Sequence, residues 1–405
     1  MRNTVAEFDL IVIGSGAAGM IAAVSACCGR RVALLTDRGL GTSNSAVAQG
    51  GLQFPEPGER ARELFKADMR ESGGPAVDDA RLDHFAESVR DVVLLLEEWG
   101  LELDRDSSGN LVRLSAGGIS EPRIVTTGAR IGPAILKVLR GRIQESPIDV
   151  FTRASVDAID VADGPLFRVS TIAGDFSARA LVVATGGRSF ERAHELGIET
   201  SNPTNSNGAM RTILLGLGLV EREADEFQLH PYGIVDVTGA ATGKCVPESI
   251  VSMGGFVADR SGRRIVTPTA DRAEVTAAMR ECLDSGGGLQ RGDGIACRLV
   301  MADVDEAECA ERYPHLERQL DGARLDDGDI AVRPVVHYQL GGFVVRPDGS
   351  TSIPGLFLAG ELTGGLHGRN RLMGNGITEA VVDGWSAGRA ARSLLESTAG
   401  VSRRR

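Results

Sequence analysis

The chain is poor in aromatic residues and in basic charge, and each shortage narrows the possible functions. Phe, Trp and Tyr make up 4% of 405 residues, and 44 basic residues stand against 55 acidic ones, a formal net charge of −11. This balance argues against a nucleic-acid or membrane-surface partner, because both favour basic patches. A small anionic substrate stays compatible, because a local arginine cluster can bind an anion inside an acidic protein.

The chain also lacks paired cysteines and long apolar runs. Its six cysteines form no C-x-x-C pair, so the sequence predicts neither a metal site nor a dithiol motif. No signal peptide is recognisable and the apolar runs are shorter than a membrane span, so we expect a cytoplasmic protein without a membrane-spanning segment. With 42% hydrophobic residues and 52 glycines, the composition is typical of a turn-rich α/β protein of two domains.

The N-terminal residues follow the β–turn–α–β order of a dinucleotide-binding fold. An apolar strand, the segment G-S-G-A-A-G and a small-residue helix follow one another over residues 8–28, before a second strand at 31–37. Gly14 would allow the tight turn, Gly16 the close approach of backbone to a pyrophosphate, and Gly19 the packing of helix on strand. The sequence therefore predicts a nucleotide cofactor.

Other segments are expected to reach the same cofactor. The end of the second strand usually supplies a ribose contact, for which Thr36 and Asp37 are both candidates. The polar loop at 41–51 can lie along the cofactor, and the strand that ends in the small residues 184–187 lets backbone approach a ligand. A plain loop is the alternative at 41–51.

A glycine-rich stretch near the C-terminus has the features of an anion site. Residues 355–361 predict a buried strand, and residues 366–379 a turn that carries Arg371 and leads into a helix. A helix N-terminus offers unpaired N–H groups and partial positive charge, so it would hold a ligand that is negative or becomes negative on reduction. A glycine-rich surface loop with scattered arginines is the alternative.

The order of these segments predicts an α/β, Rossmann-like domain built from both chain ends around an insertion. Short antiparallel strands are expected within 148–183, and the closing helix over 376–393. Residues 223–330 are richer in charge, which is typical of an inserted α+β capping domain. The expected division is a first nucleotide-binding part at 1–222, the insertion at 223–330, a second nucleotide-binding part at 331–397 and a disordered tail at 398–405.

Seven short motifs follow one another along almost the whole chain. They are G-S-G-A-A-G at 14–19, A-Q-G-G at 48–51, A-T-G-G at 184–187, N-P at 202–203, F-Q-L-H-P at 227–231, H-Y-x-x-G-G at 337–342, and G-E at 360–361 with H-G-x-N-R-x-x-G-N at 367–375. Together they resemble the flavoprotein family of fumarate reductases, succinate dehydrogenases and L-aspartate oxidases. The resemblance implies FAD bound by the terminal parts, with the insertion capping the active site.

The glycine motif and this resemblance together define the expected cofactor contacts. They are Gly14, Gly16, Ala17, Ala18, Gly19, Thr36, Asp37, Ser43, Asn44, Ser45, Gln49, Gly50, Gly51, Ala184, Thr185, Gly186, Asn207, His337, Glu361, Asn375, Gly376 and Ile377. The helix after Asn375 would face the flavin pyrimidine.

The resemblance also implies four catalytic side chains. His230 matches the histidine of the family's H-P-T motif, which binds a substrate carboxylate, and His337 matches the histidine of the H-Y motif. Arg272, in A-D-R-A-E-V, is similar to the arginine that acts as proton donor or acceptor. Arg371 is similar to the arginine that pairs with a carboxylate.

Several positions depart from the family pattern. Asn44 takes the place of the histidine that tethers FAD in succinate dehydrogenases, so we expect noncovalent FAD. Ala116 and Ile119 take the places of a glutamate and a histidine of L-aspartate oxidases, and Tyr232 that of the threonine of H-P-T. Residues 251–255 read V-S-M-G-G, without the relay acid of the family's R-G-E-G motif.

These residues predict chemistry on a small carboxylic acid. An arginine offers a planar fork to each carboxylate, hydride passes between one substrate carbon and flavin N5, and an acid or base handles the proton on the neighbouring atom. We expect an FAD-dependent enzyme that oxidises a small amino or dicarboxylic acid, in the manner of L-aspartate oxidase. Oxygen or another acceptor would take the electrons.

Three alternatives stay open. A fumarate-type reductase would saturate a C=C bond, although the missing relay acid argues against efficient proton delivery. A flavoprotein acting on a larger carboxylated biosynthetic intermediate would fit Tyr232 and Ala116. A flavoprotein subunit would depend on other chains for catalysis, although the helical C-terminal domain of the larger relatives is missing.

Overall fold

The computed structural model describes residues 5–128, 130–162, 166–320 and 322–402, and contains two large sheets with helices around them. The strands are β1 (Ala6–Ile13), β2 (Val32–Leu35), β3 (Leu52–Gln53), β4 (Ile124–Val125), β5 (Ile148–Phe151), β6 (Val156–Ala162), β7 (Leu166–Thr171), β8 (Gly174–Val183), β9 (Glu221–Arg222), β10 (Phe227–Val235), β11 (Ala241–Cys245), β12 (Phe256–Ala258), β13 (Leu289–Arg291), β14 (Gly294–Val300), β15 (Ile330–Gln339), β16 (Gly342–Phe343) and β17 (Leu356–Leu358). The helices are α1 (Ala17–Cys27), α2 (Glu59–Gly73), α3 (Asp79–Glu98), α4 (Ile131–Gln144), α5 (Ser189–Leu196), α6 (Ala209–Gly216), α7 (Ser249–Ser252), α8 (Arg272–Asp284), α9 (Glu306–Arg312), α10 (Leu316–Gln319) and α11 (Asn375–Ser402).

The first large sheet carries the N-terminal nucleotide-binding motif. β5, β2, β1 and β8 lie side by side in parallel, and β8 pairs on its other edge with β7 and, further along, with β17. The four residues of β2 are fully buried, as expected of a parallel strand covered on both faces. The sheet thus brings chain segments from both ends of the sequence together.

The strand β5 was expected to be antiparallel, and this expectation is wrong. β5 pairs in parallel with β2, with Ile148 opposite Val32, whereas β6, β7 and β8 form the expected antiparallel ribbon. Alternating apolar residues predict that a segment is a strand, but they carry no information on the direction of its partner. In this case α4 crosses between the two strands, which makes the parallel pairing possible.

The closing helix α11 packs against α1 over the first sheet. A Cβ atom at Gly384 would lie 2.3 Å from the Ala18 carbonyl oxygen, so only glycine permits this close approach. α11 continues to Ser402, past the predicted end at 393, and residues 398–402 of the predicted disordered tail are helical. No proline interrupts this segment. Residues 403–405 lie outside the described residues.

The second large sheet belongs to the insertion and has its own core. Its strand order is β11, β10, β15, β14, β12, with β13 paired to β14, and the neighbouring pairs are antiparallel. β10 and β15 pair from Phe227 opposite Gln339 to Ile234 opposite Val332. β15 therefore belongs to this sheet, and the predicted boundary at 330/331 falls at its beginning. The division into domains stays a prediction.

Across the described ranges, no helix combines sufficient length with sufficient apolar character to span a bilayer.

Candidate functional site

Two glycines of the first turn, Gly14 and Gly19, make backbone contacts that a Cβ atom would prevent. Gly14 has φ of +104°, and a Cβ atom there would lie 2.3 Å from the Ala184 carbonyl oxygen. A Cβ atom at Gly19 would lie 1.8 Å from the Gly14 carbonyl oxygen, so any side chain would separate α1 from the turn. Gly16 caps α1 without a side-chain hydrogen bond, and the Ala17 N–H donates to Ser45 Oγ at 3.2 Å. Gly16, Ala17 and Ala18 line a cavity, so a ligand there can reach the start of α1.

Two adjoining cavities extend from this turn. The nucleotide cavity, about 140 Å³, is lined by the ends of β1 and β2 and by residues 185–188. The substrate cavity, about 430 Å³, lies between the first sheet, the start of α11 and the insertion. Gly16, Ser43, Thr185, Gly186 and Asn205 line both cavities. Together the cavities form one elongated groove, which has the shape that a dinucleotide requires.

The structure places nearly all expected cofactor contacts along this groove. Those on the nucleotide cavity are Gly14, Gly16, Thr36, Asp37, Ser43, Thr185, Gly186 and Asn207. Those on the substrate cavity, besides the shared residues, are Ala17, Ala18, Asn44, Ser45, Gln49, Gly50, Gly51, Ala184, His337, Glu361, Gly376 and Ile377. Gly19 lines neither cavity, because it lies in the contact between α1 and the turn.

Asn375 is also absent from the cavity walls, but its environment points to a ligand. It is fully buried at the start of α11, and neither its Oδ1 nor its Nδ2 has a hydrogen-bond partner within the described ranges. Buried amide groups are rarely left unpaired. An acceptor and donor beside a helix N-terminus fit the polar edge of a flavin ring, so the residues present are compatible with FAD at this end of the groove.

Glu361 lies on the wall of the substrate cavity. Its Oε1 accepts a hydrogen bond from the Gln339 N–H at 3.0 Å. Part of the side chain faces the cavity, but the surrounding protein removes most of its hydration. This desolvation raises the pKa of Glu361 to about 7, and the backbone bond from Gln339 and the charge of Arg371 only partly oppose it.

All four predicted catalytic side chains line the substrate cavity: His230 on β10, Arg272 at the start of α8, His337 on β15 and Arg371 before α11. The two imidazole rings are 4.8 Å apart, centroid to centroid. The Tyr232 N–H donates to His230 Nδ1 at 3.2 Å, which leaves the His230 proton on Nε2. Ser201 Oγ lies 2.7 Å from His337 Nδ1.

Both histidines are held in the neutral form. Burial lowers the pKa of His230 well below its ordinary value, and the nearby Arg272 and Arg371 lower it further. Burial also lowers the pKa of His337 strongly, and His230 and the same arginines add to the effect. The rings can therefore act at neutral pH as N–H donors to a carboxylate, while the arginines supply the positive charge.

Arg272 is held in place at the start of α8. Asp271 caps the helix through a capping box with Glu274, so the first helical residue has a defined orientation. The Arg272 guanidinium donates through Nη1 to Gln228 Oε1 at 2.8 Å, and through Nη2 to Glu248 in a close ion pair. Its Nε is buried and has no partner among the described residues.

Glu248 is a candidate functional residue that the sequence reasoning missed. It lines the substrate cavity and forms an ion pair with Arg272, so an acidic side chain lies beside this arginine although residues 251–255 contain none. The family resemblance placed the relay acid within residues 251–255, a few positions further along the chain. The sequence did contain a clue to this residue, because Glu248 is the only acidic residue between Asp236 and Asp259.

Arg371 is buried in a different environment. Its guanidinium carbon lies 4.5 Å from the centre of the Tyr338 ring, and Nη1 donates to the Leu372 carbonyl at 3.3 Å. Burial and the positive charge of Arg272 lower the pKa of Arg371 to about 10, so it stays protonated at neutral pH. Tyr338 belongs to the H-Y motif at residues 337–342, in which only the histidine was predicted to have a role.

A pair of amides joins the insertion to the turn that carries Arg371. Gln228 Nε2 donates to Asn370 Oδ1 at 2.7 Å and to the Arg371 carbonyl at 2.9 Å. Asn370 Nδ2 in turn donates to Asp271 Oδ2 at 2.9 Å. These bonds, together with the bond from Arg272 to Gln228, fix the two arginines relative to each other. The motifs contained Gln228 and Asn370, but gave no indication that they meet.

Some of the positions that depart from the family pattern line the substrate cavity, and others do not. Asn44 lines the substrate cavity, and its Nδ2 donates to Asn202. Ala116, Ile119 and Tyr232 do not line the cavity in the part of the chain that the structure describes. Tyr232 is instead buried in the core of the insertion, where burial raises its pKa. The alternative of a larger substrate therefore gains no support from Tyr232 or Ala116.

Comparisons with known proteins agree with this geometry. A family model described as FAD binding domain matches residues 9–377. An L-aspartate oxidase of Synechocystis sp. is 26% identical over 390 residues, 93% of this chain and 69% of that protein. A fumarate reductase (CoM/CoB) subunit of Methanothermobacter marburgensis is 27% identical over 424 residues, 98% of this chain and 75% of that protein.

The solved structures give the same result. A quinol–fumarate reductase structure with menaquinol molecules has a TM-score of 0.87 and 25% identity to this chain, and the match covers 99% of this chain and 75% of that one. The predicted α/β fold, the family resemblance and the FAD cofactor are thereby confirmed. The chain belongs to the FAD-binding family that includes L-aspartate oxidases and fumarate reductase flavoproteins, and it is an FAD-dependent oxidoreductase.

Proposed function

We propose that this enzyme dehydrogenates a small amino or dicarboxylic acid. The observation that carries the proposal is the meeting of Arg272, Arg371, His230 and His337 at one end of the cofactor groove. Two guanidinium groups and two neutral imidazoles form a site with positive charge and directed N–H donors, which suits carboxylate groups. The named activities of the relatives, L-aspartate oxidase and fumarate reductase, support a substrate of this class.

Each side chain has a distinct role in the proposal. Arg371 binds one carboxylate through its fork, and the Nε2–H of His230 and the His337 ring orient the carboxylates. Arg272 first gives a proton to Glu248, its ion-pair partner, and the neutral guanidine then takes a proton from the substrate atom next to the carbon that loses hydride.

The overall reaction removes two hydrogens from the substrate. One C–H bond breaks with its electron pair, the adjacent N–H or C–H bond loses a proton, and a C=N or C=C double bond forms. FAD, when bound, supplies the two-electron acceptor for the hydride. The electrons leave afterwards to oxygen or another acceptor. Gln49, Gly50 and Gly51, with Gly376 and Ile377, would hold the ring system at the substrate cavity.

A second candidate function, the reduction of a C=C bond in a fumarate-type acid, is favoured by one observation. Glu248 contacts Arg272 at the cavity wall, so an acid is present to return a proton to the arginine. Proton delivery is the step for which the sequence motifs offered no acid. The same four residues would serve in this direction, with reduced FAD as hydride donor.

The flavin absorption band distinguishes the two candidates. The purified protein is mixed anaerobically with L-aspartate or succinate, and the oxidised flavin band is followed. Bleaching, with recovery in air or with another acceptor, is the result expected for a dehydrogenase. If neither acid bleaches the band and fumarate reoxidises chemically reduced enzyme, the reductase is correct. If neither reaction occurs with any small carboxylic acid, the proposal is wrong.

A matched pair of variants tests the site. Arg371→Ala removes the buried guanidinium and is expected to abolish turnover while FAD is retained. Arg369→Ala removes an exposed arginine from the same turn and should leave turnover unchanged. Equal turnover in the two variants would contradict the assignment.

Acid precipitation tests the expected noncovalent binding of FAD. Because Asn44 forms no covalent link in this proposal, precipitation of the wild-type protein should release the flavin into solution.

A further inference from the structure

Arg371 is a buried cation that forms no ion pair with a carboxylate of the described residues. It is 5% exposed, and its one side-chain hydrogen bond within the described ranges goes to the Leu372 carbonyl. Its Nε has no partner in the same part of the chain. The other arginine of the site differs in this respect, because Arg272 forms an ion pair with Glu248. The carboxylates of Glu248 and Glu361 act on Arg371 only from beyond ion-pair distance, and a buried charge is costly, so direct contacts of another kind must help to stabilise it.

The face of Tyr338 provides the first part of that stabilisation. The guanidinium lies over the ring at 4.5 Å, a cation–π contact in a buried position where such contacts are strongest. Gly376 leaves room for this contact. A Cβ atom there would lie 2.9 Å from Tyr338 Cε2 and 3.4 Å from Arg371 Cζ. The glycine at the start of α11 therefore serves the stack as well as the cofactor groove.

Negative charge behind the ring provides the second part. The Tyr338 hydroxyl donates to Glu379, whose Oε2 also lies 3.1 Å from His367 Nε2. The other oxygen, Oε1, lies 3.7 Å from Arg81 Nη2. Burial opposes ionisation of Glu379, but His367, Arg81 and the tyrosine hydroxyl together lower its pKa below the ordinary value. Glu379 is thus a buried carboxylate, and its hydrogen bond to Tyr338 makes the ring more electron-rich.

We propose that Tyr338 and Glu379 are positioning residues that together take the place of a direct ion-pair partner for Arg371. The ring stabilises the positive charge from one face without occupying the guanidinium fork, so the fork stays available to a ligand carboxylate. Arg272 already has its carboxylate in Glu248. The two arginines are thereby assigned different tasks, carboxylate binding for Arg371 and proton transfer for Arg272. The inference rests on the proposed function for the identity of that ligand.

A double-mutant cycle on the FAD-loaded protein tests the pairing without any substrate. Arg371→Ala should lower the flavin midpoint potential, because it removes a positive charge from the cofactor groove. Tyr338→Leu should shift the potential in the same direction in the wild-type background, and should have no effect in the Arg371→Ala background. Tyr313→Phe, which removes another buried hydroxyl that is bonded to Ser249, is the control and should leave the potential unchanged in both backgrounds.

Equal shifts from Tyr338→Leu in both backgrounds would overturn the inference. If Tyr338→Leu does not retain FAD, Tyr338→Phe and Glu379→Gln enter the same cycle, because each weakens the link between ring and carboxylate. Malonate is the second probe. Its dissociation constant, measured from the change in the flavin spectrum, should rise about 10–30-fold in Tyr338→Leu. If the wild type binds no malonate, the proposed carboxylate site fails, and the potential cycle still decides the inference.

Discussion

The partly buried carboxyl group of Glu361 should make the stability of the protein depend on pH in a direction that can be calculated. Its pKa is raised from an ordinary value of 4.5 to about 7, mainly by desolvation. The folded state therefore keeps this proton up to a higher pH than the unfolded state does. Between these two values the unfolded state binds fewer protons, so the free energy of unfolding must fall as pH rises.

The size of the effect follows from the two pKa values. Integrating the difference in bound protons from pH 5 to pH 8 gives a loss of about 2.5 kcal/mol from this one group. Glutamine at this position keeps the shape of the side chain but cannot ionise. Glu361→Gln should therefore remove this part of the pH dependence, whatever constant change in stability the substitution causes.

Urea unfolding of the flavin-free protein at pH 5 and pH 8 measures the effect. The change in unfolding free energy between the two pH values is obtained for wild type and for Glu361→Gln, and the two changes are subtracted, which cancels contributions from other groups. The wild type should lose about 2.5 kcal/mol more than the variant. Glu145→Gln, at an exposed position, controls for the loss of one charge from an acidic protein. A difference near zero, or one of opposite sign, would refute the reasoning.

Three further variants test the groove and the proton path. Gly19→Ala should lower the melting temperature and the FAD content, because its Cβ would lie 1.8 Å from the Gly14 carbonyl oxygen. Gly141→Ala is the control: this position on α4 has open space around it, so the substitution should stabilise the helix by about 1 kcal/mol. Arg272→Lys should reduce kcat about 100-fold or more with little change in KM, and undiminished turnover would contradict its proton role. Glu248→Gln should reduce kcat and alter its pH profile, and an unchanged profile would exclude Glu248 from the proton path.

Local patterns in the sequence predicted those parts of the fold that depend on neighbouring residues. The strand, glycine turn and helix at the N-terminus lie within two residues of their expected positions, because apolar periodicity and glycine spacing act over a few residues. The steric need for Gly14 and Gly19 could also be read from the turn. The end of α11 and the parallel pairing of β5 could not be predicted from the sequence, since each depends on the distant residues against which the segment packs.

The site residues divide in the same way. Motifs identified Arg272, Arg371, His230 and His337, and the structure places all four on one cavity. Glu248 was missed because its importance comes from contact with Arg272, and no spacing rule in the sequence expresses that contact. Tyr338 and Glu379 are a similar case. They are 41 positions apart, and only the packing of β15 against the start of α11 brings them into hydrogen-bond contact.

By itself, the sequence determined the family, the cofactor and the residue types of the site, because glycine turns and short motifs are properties of adjacent residues. The tertiary structure decided which groups contact the positive charge of each arginine. Arg272 is paired with a carboxylate, whereas Arg371 lies over an aromatic ring, and the amide pair Gln228–Asn370, separated by 142 positions, connects their surroundings. Burial then decides protonation, since the same histidine is charged or neutral according to its loss of water and the cations beside it.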